Sequence, residues 1–111
     1  MNIYISGPIT GHEPAECAMK FNQAKAEIIK RGHFPVSPWD IGKILPKTFT
    51  HSDYMEIDMD ILAKCDAILM LEGWEKSKGC KDEQRMMVIL DPTTVFYHLE
   101  DIPEARDVPE T

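Results

Sequence analysis

Glu83 is an acidic residue at a position where its helix should be apolar. Residues 77–90 have the spacing of an amphipathic helix, in which successive side chains are about 100° apart. Burying a carboxylate without a partner costs several kcal/mol, so an acid on the buried stripe needs a partner or a pocket. The stripe that contains Glu83 also holds small and apolar residues, namely Gly79, Cys80, Met86, Met87 and Leu90.

Asp58 repeats this pattern on the preceding helix, predicted over residues 53–64, where it shares a stripe with Tyr54, Ile61, Leu62 and Cys65. Two carboxylates in one pocket can divide the roles of nucleophile or base and proton donor. The alternative for each acid is a place at the edge of its stripe, where it reaches water or a loop N–H. Two such acids together favour a pocket.

Alternating short strands and helices would position these acids. Residues 38–52, with two prolines, are predicted as a long loop with one short helical turn, which is typical of a functional lid. Asp53 and Glu56 resemble a capping box for the helix that follows. The other predicted elements are strands at 2–6, 33–37, 67–71 and 93–97, a helix from Pro14 to Lys30, and a helix at 77–90 capped by Ser77.

This alternation predicts an α/β fold with a parallel sheet of four or five strands and helices on both faces, a three-layer sandwich. We interpret residues 1–99 as one domain and residues 100–111, with Pro103 and Pro109 among acids, as a tail that is poorly ordered or packs on a neighbour. Ligands of such sheets bind beyond the carboxyl ends of the strands. The loops at 6–11 and 72–79 and the segment after Val36 should meet there.

The composition of the chain limits the classes of molecule that it is expected to bind. The chain has 12 basic and 19 acidic residues and a net charge of -7, which disfavours a nucleic acid polymer. A small anion can still bind at a helix start, and Ser77 and Gly79 are the candidates.

Three widely spaced cysteines indicate free thiols, and the four histidines lack ligand spacing, so we expect neither a metal nor a cofactor. The absence of a leader pattern or a long apolar run predicts a cytoplasmic protein away from membranes.

Three motifs together resemble one known family. They are YISGPITG at residues 4–11, DxxILxxCDAI at 58–68 and GWExSxGxxxE at 73–83. In order and spacing they resemble the nucleoside 2-deoxyribosyltransferase-like family, particularly its small bacterial and phage members, and also 2'-deoxynucleoside 5'-monophosphate N-hydrolases. The resemblance covers roughly residues 1–97.

The resemblance implies a flavodoxin-like fold and a role for each matching residue. It implies that Glu83 is the nucleophile, that Tyr4 orients it, that Asp58 assists departure of the base, and that Ser77 contacts a 5'-phosphate. Asp66 matches a family acid more loosely, and Trp74 either stacks on the base or anchors its loop. The loop after the first strand would cradle the nucleotide through Ser6, Gly7, Pro8, Ile9, Thr10 and Gly11.

These implications lead to an enzyme that cleaves or exchanges the N-glycosidic bond of a nucleoside or its 5'-monophosphate through a glycosyl-Glu83 intermediate. Hydrolysis and transfer both remain open. The alternative is a non-catalytic protein that binds or sequesters a nucleotide in the same pocket. A flavodoxin-type electron carrier is disfavoured, because the first loop lacks a Ser/Thr-rich phosphate nest.

The small size, the seven methionines and the resemblance predict a homodimer or a larger homo-oligomer.

Overall fold

A computed structural model describes residues 1–107 and shows a single parallel sheet. Its strands are β1 (Asn2–Ser6), β2 (Phe34–Val36), β3 (Ala67–Met70) and β4 (Val95–Phe96), in the spatial order β2-β1-β3-β4. This order reproduces the first four strands of the flavodoxin arrangement. The predicted α/β fold is confirmed, and the four parallel strands agree with the predicted number.

Helices cover both faces of the sheet. Helix α1 (Pro14–Lys30) packs on one face, where Phe21, Ala24 and Ile28 meet Ile3 and Ile5 of β1. Helices α3 (His51–Leu62) and α4 (Lys78–Leu90) cover the other face. Successive strand residues point to opposite faces, so a strand buried on both sides is apolar throughout. Tyr4 accordingly faces the α3–α4 side together with Ile68, Met70, Leu62 and Met87.

The segment between β2 and α3 is more ordered than the sequence pattern indicated. It contains helix α2 (Pro38–Ile44), seven residues long, in place of one short turn. Pro38 suits the first helical position, and the Ser37 hydroxyl accepts a hydrogen bond from the Asp40 N–H. A fixed helix therefore stands where a loop was predicted.

Helix α3 begins earlier than predicted because a different residue caps it. The Thr50 hydroxyl accepts a hydrogen bond from the Asp53 N–H at 3.1 Å, and the Asp53 carboxylate accepts one from the Thr50 N–H at 2.7 Å. The predicted box of Asp53 and Glu56 was therefore wrong by one helical turn. Asp53 has the N3 role and lies inside the helix, and Thr50 is the N-cap.

The described part of the C-terminal tail packs on the chain's own domain. The Ile102 side chain is only 1% exposed and joins the core on the α1 side. Arg31 donates a hydrogen bond to the Ile102 carbonyl at 2.7 Å, and the Ala105 N–H donates to the Arg31 carbonyl at 2.8 Å. We predicted a tail that is poorly ordered or packs on a neighbour; residues 100–107 instead pack on their own domain through one buried apolar side chain and these bonds. Residues 108–111, including the predicted tail residue Pro109, lie outside the described residues.

Within residues 1–107, no helix combines the length and the apolar character that crossing a bilayer requires.

We expect Ile102→Ala to lower the free energy of unfolding by about 2–4 kcal/mol, because it leaves a cavity beneath the tail. The matched control is Ile29→Ala, whose side chain is 61% exposed on α1 and whose loss should change stability by no more than about 0.5 kcal/mol. Urea denaturation followed by circular dichroism measures both. Equal, small effects of the two substitutions would contradict docking of the tail.

Candidate active site

A cleft of about 580 Å³ opens beyond the carboxyl ends of β1 and β2. Its walls are the loop after β1, helices α2 and α3, and the start of α4. The two acids predicted from their helical stripes meet here. The predicted site residues that line the cleft are Tyr4, Gly7, Ile9, Thr10, Asp58, Ser77, Gly79 and Glu83.

The Glu83 carboxylate lies between α4 and β1 and is 6% exposed. The Tyr4 hydroxyl donates a hydrogen bond to its Oε2, and the Ser6 hydroxyl donates one to its Oε1 at 2.8 Å. Tyr4 and Ser6 are two residues apart on one strand, so both side chains point to the face that α4 covers. Both carboxylate oxygens therefore have a donor from the sheet.

Both acids of the cleft have raised pKa values. Burial raises the pKa of Glu83 to about 7, although the bonds from Tyr4 and Ser6 act in the opposite direction. Burial raises the pKa of Asp58 to about 6, and the nearby charge of His51 opposes this shift. Burial and the charge of Glu83 keep the pKa of the Tyr4 phenol far above its usual range, so it stays a proton donor in its hydrogen bond. Both carboxyl groups consequently change protonation near neutral pH.

Asp58 reaches the cleft from one stripe of α3. Residues at positions i, i+3, i+4 and i+7 share a helical face, and here these are His51, Tyr54, Met55 and Asp58, all of which line the cleft. Asp58 is near enough to Glu83 that their negative charges oppose each other. The charge of Asp58 is thus one of the causes that raise the pKa of Glu83.

The start of α4 forms another part of the wall. The Ser77 hydroxyl caps the helix by accepting a hydrogen bond from the Cys80 N–H at 3.3 Å. A side chain at Gly79 would put its Cβ 3.2 Å from the Met55 sulfur, so a glycine there allows close packing of α4 against α3. Ser77 and Gly79 thus lie at a helix N-terminus within the cleft, as predicted.

Several predicted site residues lie elsewhere. Asp66 precedes β3 at the opposite edge of the sheet, where its carboxylate accepts a hydrogen bond from the Asn2 N–H at 2.7 Å. Trp74 lines a separate groove of about 780 Å³ and packs on Tyr97, with ring centroids 5.7 Å apart. Pro8 and Gly11 do not line the cleft, and Ser6 acts on it only through Glu83.

Sequence analysis did not name as site residues eight residues that line the cleft: Pro38, Trp39, Gly42, Lys43, His51, Tyr54, Met55 and Cys80. Trp39 and Lys43 belong to α2, and the Lys43 ammonium lies 4.9 Å from the centre of the Trp39 ring. The available signal was the length of the segment at 38–52, which already indicated a functional role. Among residues 1–107, no group of three or more His, Cys, Asp or Glu side chains is placed to hold a metal ion.

A family model described as "Domain of unknown function (DUF4406)" matches residues 1–93 of the chain. The chain belongs to the DUF4406 family. No curated protein and no solved structure matches it. The family description assigns no activity, so the resemblance to nucleoside 2-deoxyribosyltransferases stays a prediction.

Tyr4→Phe removes one of the two hydroxyl donors of Glu83, and we therefore expect the pKa of Glu83 to rise above its starting value of about 7. The matched control is Tyr54→Phe, because the Tyr54 hydroxyl lies on the same cleft but donates to the Pro46 carbonyl. Carbon-13 NMR titration of labelled glutamate carboxyl groups, assigned through Glu83→Gln, measures the shift. An unchanged or lower midpoint in Tyr4→Phe would refute the role of this bond.

Proposed function

We propose that this DUF4406 protein cleaves or exchanges the N-glycosidic bond of a nucleoside or nucleoside 5'-monophosphate, with Glu83 as the nucleophile. The observation that carries the proposal is the buried Glu83 carboxylate, held by Tyr4 and Ser6 in one cleft with a second acid, Asp58. The resemblance to the nucleoside 2-deoxyribosyltransferase-like family supports the same assignment. The three cysteines, free in the structure, fit a cytoplasmic location, which is part of the proposal.

In the first step a Glu83 oxygen forms a bond to C1' of the sugar as the C1'–N bond breaks. The electron pair of that bond goes to the base nitrogen, and protonated Asp58 supplies the proton that neutralises the departing base. The sugar passes through a cationic state, which the Glu83 carboxylate stabilises before it is trapped as an ester. Tyr4 and Ser6 fix the direction of the carboxylate through their hydrogen bonds.

In the second step water or an incoming base attacks C1' and releases the Glu83 carboxylate. The Asp58 carboxylate, now deprotonated, takes the proton of the attacking group, which returns both acids to their starting forms. The competent form has Glu83 charged and Asp58 protonated. Because the pKa of Glu83 is about 7 and that of Asp58 about 6, the main singly protonated form has Asp58 charged and Glu83 protonated. The competent form is the minor one of the two, and its population peaks between these two pH values.

The proposal includes a binding site for a 5'-phosphate at the N-terminus of α4. Ser77 and Gly79 lie at the start of this 13-residue helix, whose free N–H groups and dipole favour an anion. Lys43 lines the same cleft and supplies positive charge in a protein whose net charge is -7. A phosphorylated nucleoside is therefore a suitable ligand.

We expect a chromatographic screen of nucleosides and 5'-monophosphates to show release of free base, and Glu83→Gln to reduce that release roughly a thousandfold or more. The substitution keeps the shape of the side chain and removes its charge. Glu72→Gln, outside the cleft, is the matched control and should retain activity. A second base added to the screen separates transfer from hydrolysis.

A 2'-fluoro-substituted nucleoside with a good leaving base should leave a sugar adduct on Glu83, detectable by peptide mass spectrometry. An adduct on Asp58, or near-full activity of Glu83→Gln, would overturn the assignment. A nucleotide that binds and is recovered unchanged from the unmodified protein would favour the alternative, a non-catalytic nucleotide-binding protein.

We further propose that the protein forms a homodimer or larger homo-oligomer through the outer face of α4. A shallow groove of about 390 Å³ runs along this face and is lined by Asp82, Arg85, Met86, Ile89 and Leu90. Ile89 is 76% exposed, and Leu90 is exposed beside it. Adjacent exposed apolar side chains are typical of an interface.

Light scattering at micromolar concentration should therefore give a mass of at least two chains, and Ile89→Lys should shift it towards one chain. Ile44→Lys is the matched control, because Ile44 is 82% exposed but lies on α2, away from this face. The mass of one chain for the unmodified protein would refute self-association. An equal effect of both substitutions would refute the choice of the α4 face.

A further inference from the structure

We propose that the flat ring of the ligand binds against Trp39 and Tyr54, so that α2 and α3 recognise the nucleobase and the Trp74 loop does not. This inference rests on the proposed function and identifies the base-binding surface of its site. The cleft and the groove each contain one of the chain's two tryptophans, which makes the two locations separable by experiment.

The cleft offers few aromatic surfaces to a ligand. Tyr4, Trp39 and Tyr54 are its aromatic lining residues. Tyr4 is fully buried, and its hydroxyl is bound to Glu83. Trp39 and Tyr54 are only partly buried, so their rings are the ones that a flat ligand can contact.

The distance between Tyr54 and Asp58 along α3 suits the length of a nucleobase. They are four residues apart on the cleft-facing stripe of α3, which is a rise of about 6 Å along the helix axis. A base whose departing nitrogen takes a proton from Asp58 would extend from there along α3, over a distance comparable with its own length. Its outer part would then lie beside Tyr54.

Trp39 lies in the part of the wall that α2 forms, and it packs on α1. Its ring stacks on Phe21, with centroids 6.3 Å apart and an interplanar angle of 21°. The Lys43 side chain lies over the Trp39 ring and is 54% exposed, so the ring of a ligand can displace it. The buried indole N–H has no acceptor among the described residues. An unpaired buried donor is uncommon in native proteins, and a ligand in the cleft is one way to account for it.

Trp74 is poorly placed for this role. It lines the separate groove, and it packs on Tyr97, whose hydroxyl accepts a hydrogen bond from Gln84 at 3.0 Å. Its neighbour Gly73 lies against Pro8, so the loop after β1 stands between the groove and the cleft. The Trp74 ring therefore anchors its loop.

Two single-tryptophan proteins test the inference, both in a Glu83→Gln background so that the ligand is not consumed. Trp74→Phe leaves Trp39 as the only tryptophan, and Trp39→Phe leaves Trp74. Each of the four deoxynucleoside 5'-monophosphates is titrated while tryptophan fluorescence is measured. We expect a saturable change from Trp39 with at least one of them and none from Trp74. Deoxyribose 5-phosphate, which has no ring, should leave the emission of both proteins unchanged.

Tyr54→Leu should weaken binding of the responding nucleotide about tenfold, because it removes a stacking surface. Tyr97→Leu, in the groove with Trp74, is the matched control and should bind as before. A response from Trp74 in place of Trp39, or unchanged binding by Tyr54→Leu, would overturn the inference.

Base release by the unmodified protein is measured separately. Release together with a silent Trp39 would overturn this inference alone. A responding Trp39 without any release would support the ring site and reject the catalytic proposal. Silence of both tryptophans together with no release would overturn both.

Discussion

The buried carboxylate of Glu83 constrains much of the surrounding structure. A charged or partly charged acid at 6% exposure requires hydrogen-bond donors, and both of its oxygens receive one from β1. Tyr4 and Ser6 can supply them only while β1 keeps its register and α4 lies across that strand. A shift of β1 by one residue would turn both hydroxyls to the α1 face. The core packing and the candidate active site therefore depend on the same arrangement.

The two sides of the cleft differ in how they are held. The side with Tyr4 and Glu83 belongs to the centre of the sheet and its covering helix, where neighbouring strands fix the backbone. The side with α2 is attached by fewer contacts, among them the stack of Trp39 on Phe21 and the ion pair of Lys25 and Asp40 at 2.8 Å. A partly exposed ion pair adds little stability. In the proposed function, the chemistry takes place on the more rigid side, and the base is recognised on the side that can adapt more easily.

The small sheet also explains the second groove. Four strands leave the α1-side face of β3 and β4 without a long covering helix, and the segment around Leu99 and Ile102 covers part of it. The uncovered remainder is the groove that holds Trp74 and Tyr97. The cleft and this groove are therefore separate concave surfaces, and of the two only the cleft contains the Asp58 and Glu83 pair.

The sequence by itself determined the parallel sheet and the helical stripes that carry Asp58 and Glu83, because strand and helix periodicities are local properties. In the structure Glu83 is buried and Asp58 is partly buried. Only the tertiary structure decided which connections meet at the cleft. Trp39 and His51 line it because α2 and α3 fold over the sheet, whereas Trp74 turns to the other groove. Asp66 precedes its strand, so it lies at the edge opposite the cleft. The direction of a connection depends on packing between residues far apart in sequence, which no local pattern records.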